Sequence, residues 1–221
     1  MMGDHGRDHV CGVRTATVVD TTDPEGLGRV QVRLPWHRRR EAALPWARVA
    51  TLMAGADRGT WFRPDVGDEV LVAFEEGDPR SPYVVGALWN DAARPPVSAA
   101  AGAETTAVHT GNGIVIELDD TTGDERLTLR TPAGREVVLD DGDASITVTD
   151  TGGTTVRLGD GDVTVTTPAT VTIDAATVEL AAGILRVDAG MAQFSGVVKA
   201  DTVVTNSVVS SSYTPGAGNI W

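Results

Sequence analysis

The sequence predicts an all-β chain in two parts, a small closed barrel followed by a long array of short strands. Three observations carry this. Short β-rich runs bounded by Pro, Gly or Asp fill the first 90 residues. Residues 105–205 hold 20 Thr and 15 Val, so two β-branched types make up over a third of that stretch. No convincing amphipathic helix competes in the first part.

The polar residues 1–11, with Asp4, Arg7 and Asp8, read as an N-terminal extension without the apolar region of a secretory signal. Strands are expected at Val13–Val19, Arg29–Leu34, Trp46–Leu52, Glu69–Phe74 and Tyr83–Leu88. Alternation is plain in Arg29-Val30-Gln31-Val32-Arg33-Leu34, with Val30, Val32 and Leu34 on one face. Val70, Val72 and Phe74 are expected to face the barrel interior. Gly26 and Gly28 after Asp23-Pro24 supply positive φ for a turn, and Gly67-Asp68 and Gly77-Asp78-Pro79 bracket one stave. Five strands in this length fit an OB-fold barrel over residues 12–90. The Ala- and Pro-rich stretch 91–104 then reads as a linker.

In the array, apolar dyads recur at Ile114/Ile116, Leu127/Leu129, Val137/Leu139, Ile146/Val148, Val156/Leu158, Val163/Val165, Val171/Ile173, Val178/Leu180 and Leu185/Val187. Their steps are 13, 10, 9, 10, 7, 8, 7 and 7 residues, with Gly, Asp and Pro between them. Each unit is one short strand and a turn. Aromatics do not help to fill a core here, since Phe194 is the only one between Trp89 and Tyr213. One chain alone would enclose a thin core. Three copies wound about a common axis would bring three apolar faces together and pair the strand edges, so residues 105–209 are expected to form a homotrimeric, intertwined triple-stranded β-helix.

Four ordered segments then point to a family. They are Asp23-Pro24-Glu25-Gly26-Leu27-Gly28-Arg29-Val30-Gln31-Val32; Trp46-Ala47-Arg48-Val49; Pro64-Asp65-Val66-Gly67-Asp68-Glu69-Val70-Leu71-Val72-Ala73-Phe74; and Gly77-Asp78-Pro79 with Pro82-Tyr83-Val84-Val85-Gly86-Ala87-Leu88-Trp89-Asn90. Together they resemble the contractile-tail spike family, comprising phage baseplate-assembly protein V (gpV-like) and the spike part of VgrG proteins. The resemblance implies an OB-fold collar, a triple-stranded β-helical shaft, and a piercing part driven through a target envelope by sheath contraction.

The resemblance also implies partners. Only about 11 residues precede the first strand, so the hub above the collar is expected to be a separate protein. A PAAR-repeat tip protein is expected at the C-terminal segment 210–221, where Ile220 and Trp221 offer an apolar docking end; the alternative is a tail packed on its own shaft. The basic run Arg38-Arg39-Arg40 is either a solvated loop or an electrostatic contact to the hub. Some family members carry a His-x-His iron site at their tip; His5, His9, His37 and His109 do not form that motif near the C-terminus, so no such metal tip is expected.

Other functions are disfavoured. A net charge of −13 opposes binding to nucleic acid, although OB-folds often bind it. The surplus acid lies in the second part: residues 1–93 balance at −3 (11 basic, 14 acidic) and residues 94–221 at −10 (7 basic, 17 acidic). The single cysteine, Cys11, excludes an internal disulfide, and with His5 and His9 it lies in the extension, where a zinc site is not expected. Gly152-Gly153 and Gly159-Asp160-Gly161-Asp162 lack the tandem nonapeptide of calcium-binding repeats and read as turns. Glu75/Glu76 and Asp119/Asp120 are adjacent pairs beside expected turns rather than a cleft-spanning pair, so no catalytic residues, cofactor or metal are assigned. No run nears the roughly 18 apolar residues of a membrane span, so a membrane enters only as a pierced target. Assembly is expected in the cytoplasm, within a phage tail or an extracellular contractile particle. A β-helical carbohydrate-binding tailspike or adhesin is the alternative function.

Overall fold

The computed structural model describes residues 9–37, 43–97 and 104–211. Among them the regular structure is all β apart from one 3₁₀ turn. In chain order the strands are β1 (Arg14–Asp20), β2 (Val30–Arg33), β3 (Trp46–Val49), β4 (Ala54–Gly55), β5 (Arg58–Gly59), β6 (Glu69–Phe74) and β7 (Pro82–Leu88), then β8 (Thr105–His109), β9 (Val115–Asp119), β10 (Arg126–Arg130), β11 (Glu136–Asp140), β12 (Ser145–Thr149), β13 (Thr155–Gly159) and β14 (Asp162–Thr166).

Strands β1, β2, β3, β7 and β6 close a barrel in that order. All pairings are antiparallel except β3 with β7, whose parallel register sets Arg48 opposite Tyr83 and Val49 opposite Val84. Register shifts at Val18/Asp20 and Leu71/Val72 bend two of the strands, a common way to turn a flat sheet into a closed one. The core is aliphatic and small: Ala16, Val18, Val30, Val32, Leu34, Ala47, Val70, Val72 and Val84 are all buried. Phe74 lies against this core and beside the ring of Trp36, half in and half out. Each fully buried valine contributes on the order of 1.5–3 kcal/mol relative to exposure. The alternation that predicts β2 and β6 is therefore the alternation of the barrel interior.

The barrel also holds the end of the N-terminal extension. The Val10 amide donates to the Gly77 carbonyl at 2.9 Å. Gly77 has φ +81°, and a Cβ there would fall 2.3 Å from the His9 ring. Only glycine satisfies both conditions without displacing His9.

The repeat region begins one strand earlier than the apolar dyads indicate, at β8, where Thr106 stands in one of the two dyad positions and masks the pattern. Strands β8 to β14 form one seven-stranded antiparallel sheet in simple chain order. The first dyad is also displaced: Ile114 precedes β9, and the residues that share the common face are Ile116 and Leu118. Strands β9 to β13 are paired on both edges within the chain, so among the described residues of this sheet only the outer edges of β8 and β14 lack a partner, where the sequence predicts pairing between chains for nearly every edge. After Thr166 no strand forms among the described residues, although the dyads continue. Residues 172–211 belong to a second compact unit.

Candidate partner-binding surfaces

The turn between β1 and β2 is organised by one carboxylate. Asp23 accepts from the amides of Glu25, Leu27 and Arg29 at 3.1, 2.9 and 3.1 Å. It also accepts from the Arg29 guanidinium at 2.7 Å through Nη2 and at 3.2 Å through Nε. The Asp23 side chain is only 4% exposed. The guanidinium beside it, reinforced by the three amides, holds the carboxyl far below the usual carboxylate range. Arg29 is held above its ordinary value in turn by Asp23 and by Glu25, which lies 3.0 Å from Nη2. Gly26 and Gly28 take φ +65° and +74°, so the chain can wrap around the carboxylate.

This turn supports an aromatic side chain from another part of the barrel. A Cβ on Gly28 would lie 2.5 Å from the Trp61 ring, so the indole rests directly on the glycine backbone. Trp61 belongs to the connection between β3 and β6, which includes the β4–β5 hairpin. The hairpin is tied at its base by the Thr60 amide donating to Met53 O at 3.0 Å and the Thr51 hydroxyl donating to Thr60 O at 2.7 Å. The Thr51 and Thr60 hydroxyls also bond to each other. Around it lies an open cleft of about 1120 Å³. Leu52, Trp61, Phe62 and Leu27 are 95%, 71%, 70% and 68% exposed.

The second surface is one face of the seven-stranded sheet. The register places Thr106, Leu118, Leu127, Leu139, Ile146, Leu158 and Val163 in one row across the strands. A second row holds Val108, Ile116, Leu129, Val137, Val148, Val156 and Val165. Ile146 and Val148 are 41% and 43% exposed, whereas Ser145, Thr147 and Thr149 between and beside them are half-buried. The apolar rows are thus the open side of the sheet.

The opposite face carries the charge. Arg126 bonds Asp140 at 2.7 Å, and Arg130 lies 3.8 Å from Glu136. The Asp143 amide, then the Arg126 guanidinium, keep the Asp140 carboxyl below its ordinary value against the cost of its burial. Asp119 is lowered by hydrogen bonds from Thr121, and Asp78 by the Arg80 guanidinium. These shifts have turn and ion-pair causes. Glu75 and Glu76 sit exposed in the 3₁₀ turn. Among the described residues no group of three or more His, Cys, Asp or Glu is placed to hold a metal ion.

Of the residues singled out from the sequence, Arg38, Arg39, Arg40, Ile220 and Trp221 all lie outside the described residues. Sequence reasoning missed the surface around Trp61 and Phe62. Its only signal there was an adjacent aromatic pair beside a Gly- and Arg-rich stretch with no strand-like alternation.

Comparison with known proteins agrees with the barrel geometry. The family described as the type VI secretion system/phage-baseplate injector OB domain matches residues 14–89. The type VI secretion system spike protein VgrG5 of Pseudomonas aeruginosa is 39% identical over 100 residues, covering 42% of this chain and 13% of that protein. VgrG3 of Vibrio cholerae is 30% identical over 146 residues, 61% of this chain and 14% of the relative. VgrG1b of Pseudomonas aeruginosa is 29% identical over 147 residues, covering 60% of this chain and 20% of that protein. The chain therefore corresponds to a small fraction of the length of these relatives. The Asp23–Arg29 turn and the five-stranded closure both lie within the matched segment: residues 14–89 are similar to the type VI secretion system/phage-baseplate injector OB domain, in keeping with the likeness to VgrG spike proteins.

Proposed function

We propose that this chain is the central spike of a phage-tail or type VI-like contractile machine, a part that plugs the tube and pierces a target envelope by mechanical force rather than by catalysis. The observation that carries the reading is the open two-row apolar face on a sheet that follows, in sequence, an injector-family barrel. A lone sheet with such a face is a poor end state in water, because large contiguous apolar patches mark interaction surfaces. Three copies meeting about a common axis would cover it with identical rows of Leu, Ile and Val. The same assembly would give the described residues after Thr166, which form no strand in the single chain, their strand partners, and an intertwined shaft is the arrangement we assign to them. A separate hub protein at the barrel and a PAAR-repeat tip protein at the C-terminal end complete the proposed particle, which would be put together in the cytoplasm.

The adhesin alternative is less well supported, because strands β8 to β14 present no Trp, Tyr or Phe on which a sugar ring could stack. Light scattering on the purified chain tests the assembly. Its mass is expected at three times 23.1 kDa, and a monomer would sink the shared core. Electron microscopy of particles carrying a tagged chain tests the role. The tag is expected on the tail axis at the baseplate, and particles that assemble and inject normally without the chain would remove the reading.

A further inference from the structure

The cleft beside the β4–β5 hairpin has a composition that the folding of the barrel does not require. Trp61 and Phe62 are more than two-thirds exposed, and Met53 is about half exposed. Arg48, Arg58 and Arg63 line the same cleft and form no ion pair with a described residue. Exposed Trp, Phe and Met interleaved with Arg, and without Lys, is the composition enriched at the centres of protein–protein interfaces. Three guanidinium groups without an ion-pair partner among the described residues, of which Arg63 donates to the Thr21 carbonyl at 2.9 Å, are a local reversal of sign in a chain of net charge −13. The hairpin that presents them is braced by the Thr51 and Thr60 hydrogen bonds, and Trp61 is seated on Gly28, so little order has to be gained on binding.

We propose that this cleft docks a segment of a different protein that presents carboxylates around an aromatic or aliphatic anchor. The anchor lies against Trp61 and Phe62, and the carboxylates meet Arg58, Arg63 and Arg48. A nucleic-acid strand would also offer negative charge and stacking rings. The cleft is less suited to it, because Leu27, Val49 and Met53 share the lining and offer partners to an apolar side-chain anchor rather than to a polar base edge. Arg48 is already placed over the Tyr83 ring, 5.6 Å from its centroid, which fixes the guanidinium plane at the cleft wall.

The test uses the full chain and fluorescence anisotropy with three labelled probes. They are a peptide of alternating glutamate and phenylalanine, its lysine–phenylalanine counterpart, and an oligothymidylate. The glutamate peptide is expected to bind and the lysine peptide to be rejected. Arg58→Glu is expected to weaken the glutamate peptide about tenfold, as loss of a steering charge together with its reversal does, while Arg58→Lys retains most of the binding. Trp61→Ala is expected to weaken it comparably. Arg58 is exposed in the hairpin and is not among the buried core residues, so its variants test the cleft without touching the core. Equal binding of both peptides, no binding of either, or preference for the oligothymidylate would each overturn the proposal. So would a change in oligomeric mass with Arg58→Glu, because the surface would then be a contact between copies of this chain.

Discussion

At the scale of single residues, Asp23 ties the β1–β2 turn together through five donors from three residues. Its carboxyl is depressed in the folded chain, so the stability it contributes is present above the unfolded carboxylate value, about 4, and is lost as the pH falls below it. Asp78, Asp119 and Asp140 are depressed too and act with the same sign. Thermal melts from neutral pH to about pH 3 should therefore show an acid limb in the native chain, reduced but not abolished in Asp23→Asn. Gly28 is constrained twice over. Gly28→Ala should cost about 1–3 kcal/mol from the positive φ. It should also shift the tryptophan emission by displacing Trp61, a shift absent when the background is Trp61→Ala.

Elements differ in how far they were legible beforehand. The five barrel strands could be placed to within a few residues, because buried valines alternate in β2 and β6 and the turns between strands need Gly, Asp and Pro. The β4–β5 hairpin could not be, since two-residue strands of Ala, Gly and Arg carry no period. Neither could the cleft it frames. Barrel closure rests on the parallel pairing of β3 with β7, a contact between segments more than 30 residues apart that no local pattern encodes. In the array, alternation identified strands and their apolar face, yet it was silent on whether their partners lie in the same chain. The two-row face has its own prediction. Val148→Asp should convert the assembled species to one chain of 23.1 kDa, whereas Thr147→Asp on the reverse face should leave the mass unchanged. Light scattering distinguishes the two, and the barrel melt should survive both.

For the molecule as a whole, the informative contrast is between the paired strands up to Thr166 and the described residues after it, which form no strand. Val171, Ile173, Leu180, Leu185 and Val187 are all more than 60% exposed in the single chain. If copies of the chain supply their partners, the backbone near Arg186 and Lys199 is protected only in the assembly. Limited trypsin digestion should then cut the Val148→Asp variant at these sites at least about tenfold faster than the native assembly, with fragments identified by mass. Equal rates would separate the fate of this segment from that of the apolar face.

The simple chain order of β8 to β14 has a consequence for how the protein comes into being. Every strand in that sheet bonds to its nearest neighbour in sequence, the lowest contact order that a sheet can have, and such folds form quickly. A newly made chain can therefore complete the sheet before it meets another copy. The described residues after Thr166 form no such local pairs. Refolding should accordingly divide into a fast phase indifferent to dilution and a later one that accelerates with concentration. The meeting of chains, not the closing of the barrel, would then set how long the last part of the fold takes to form.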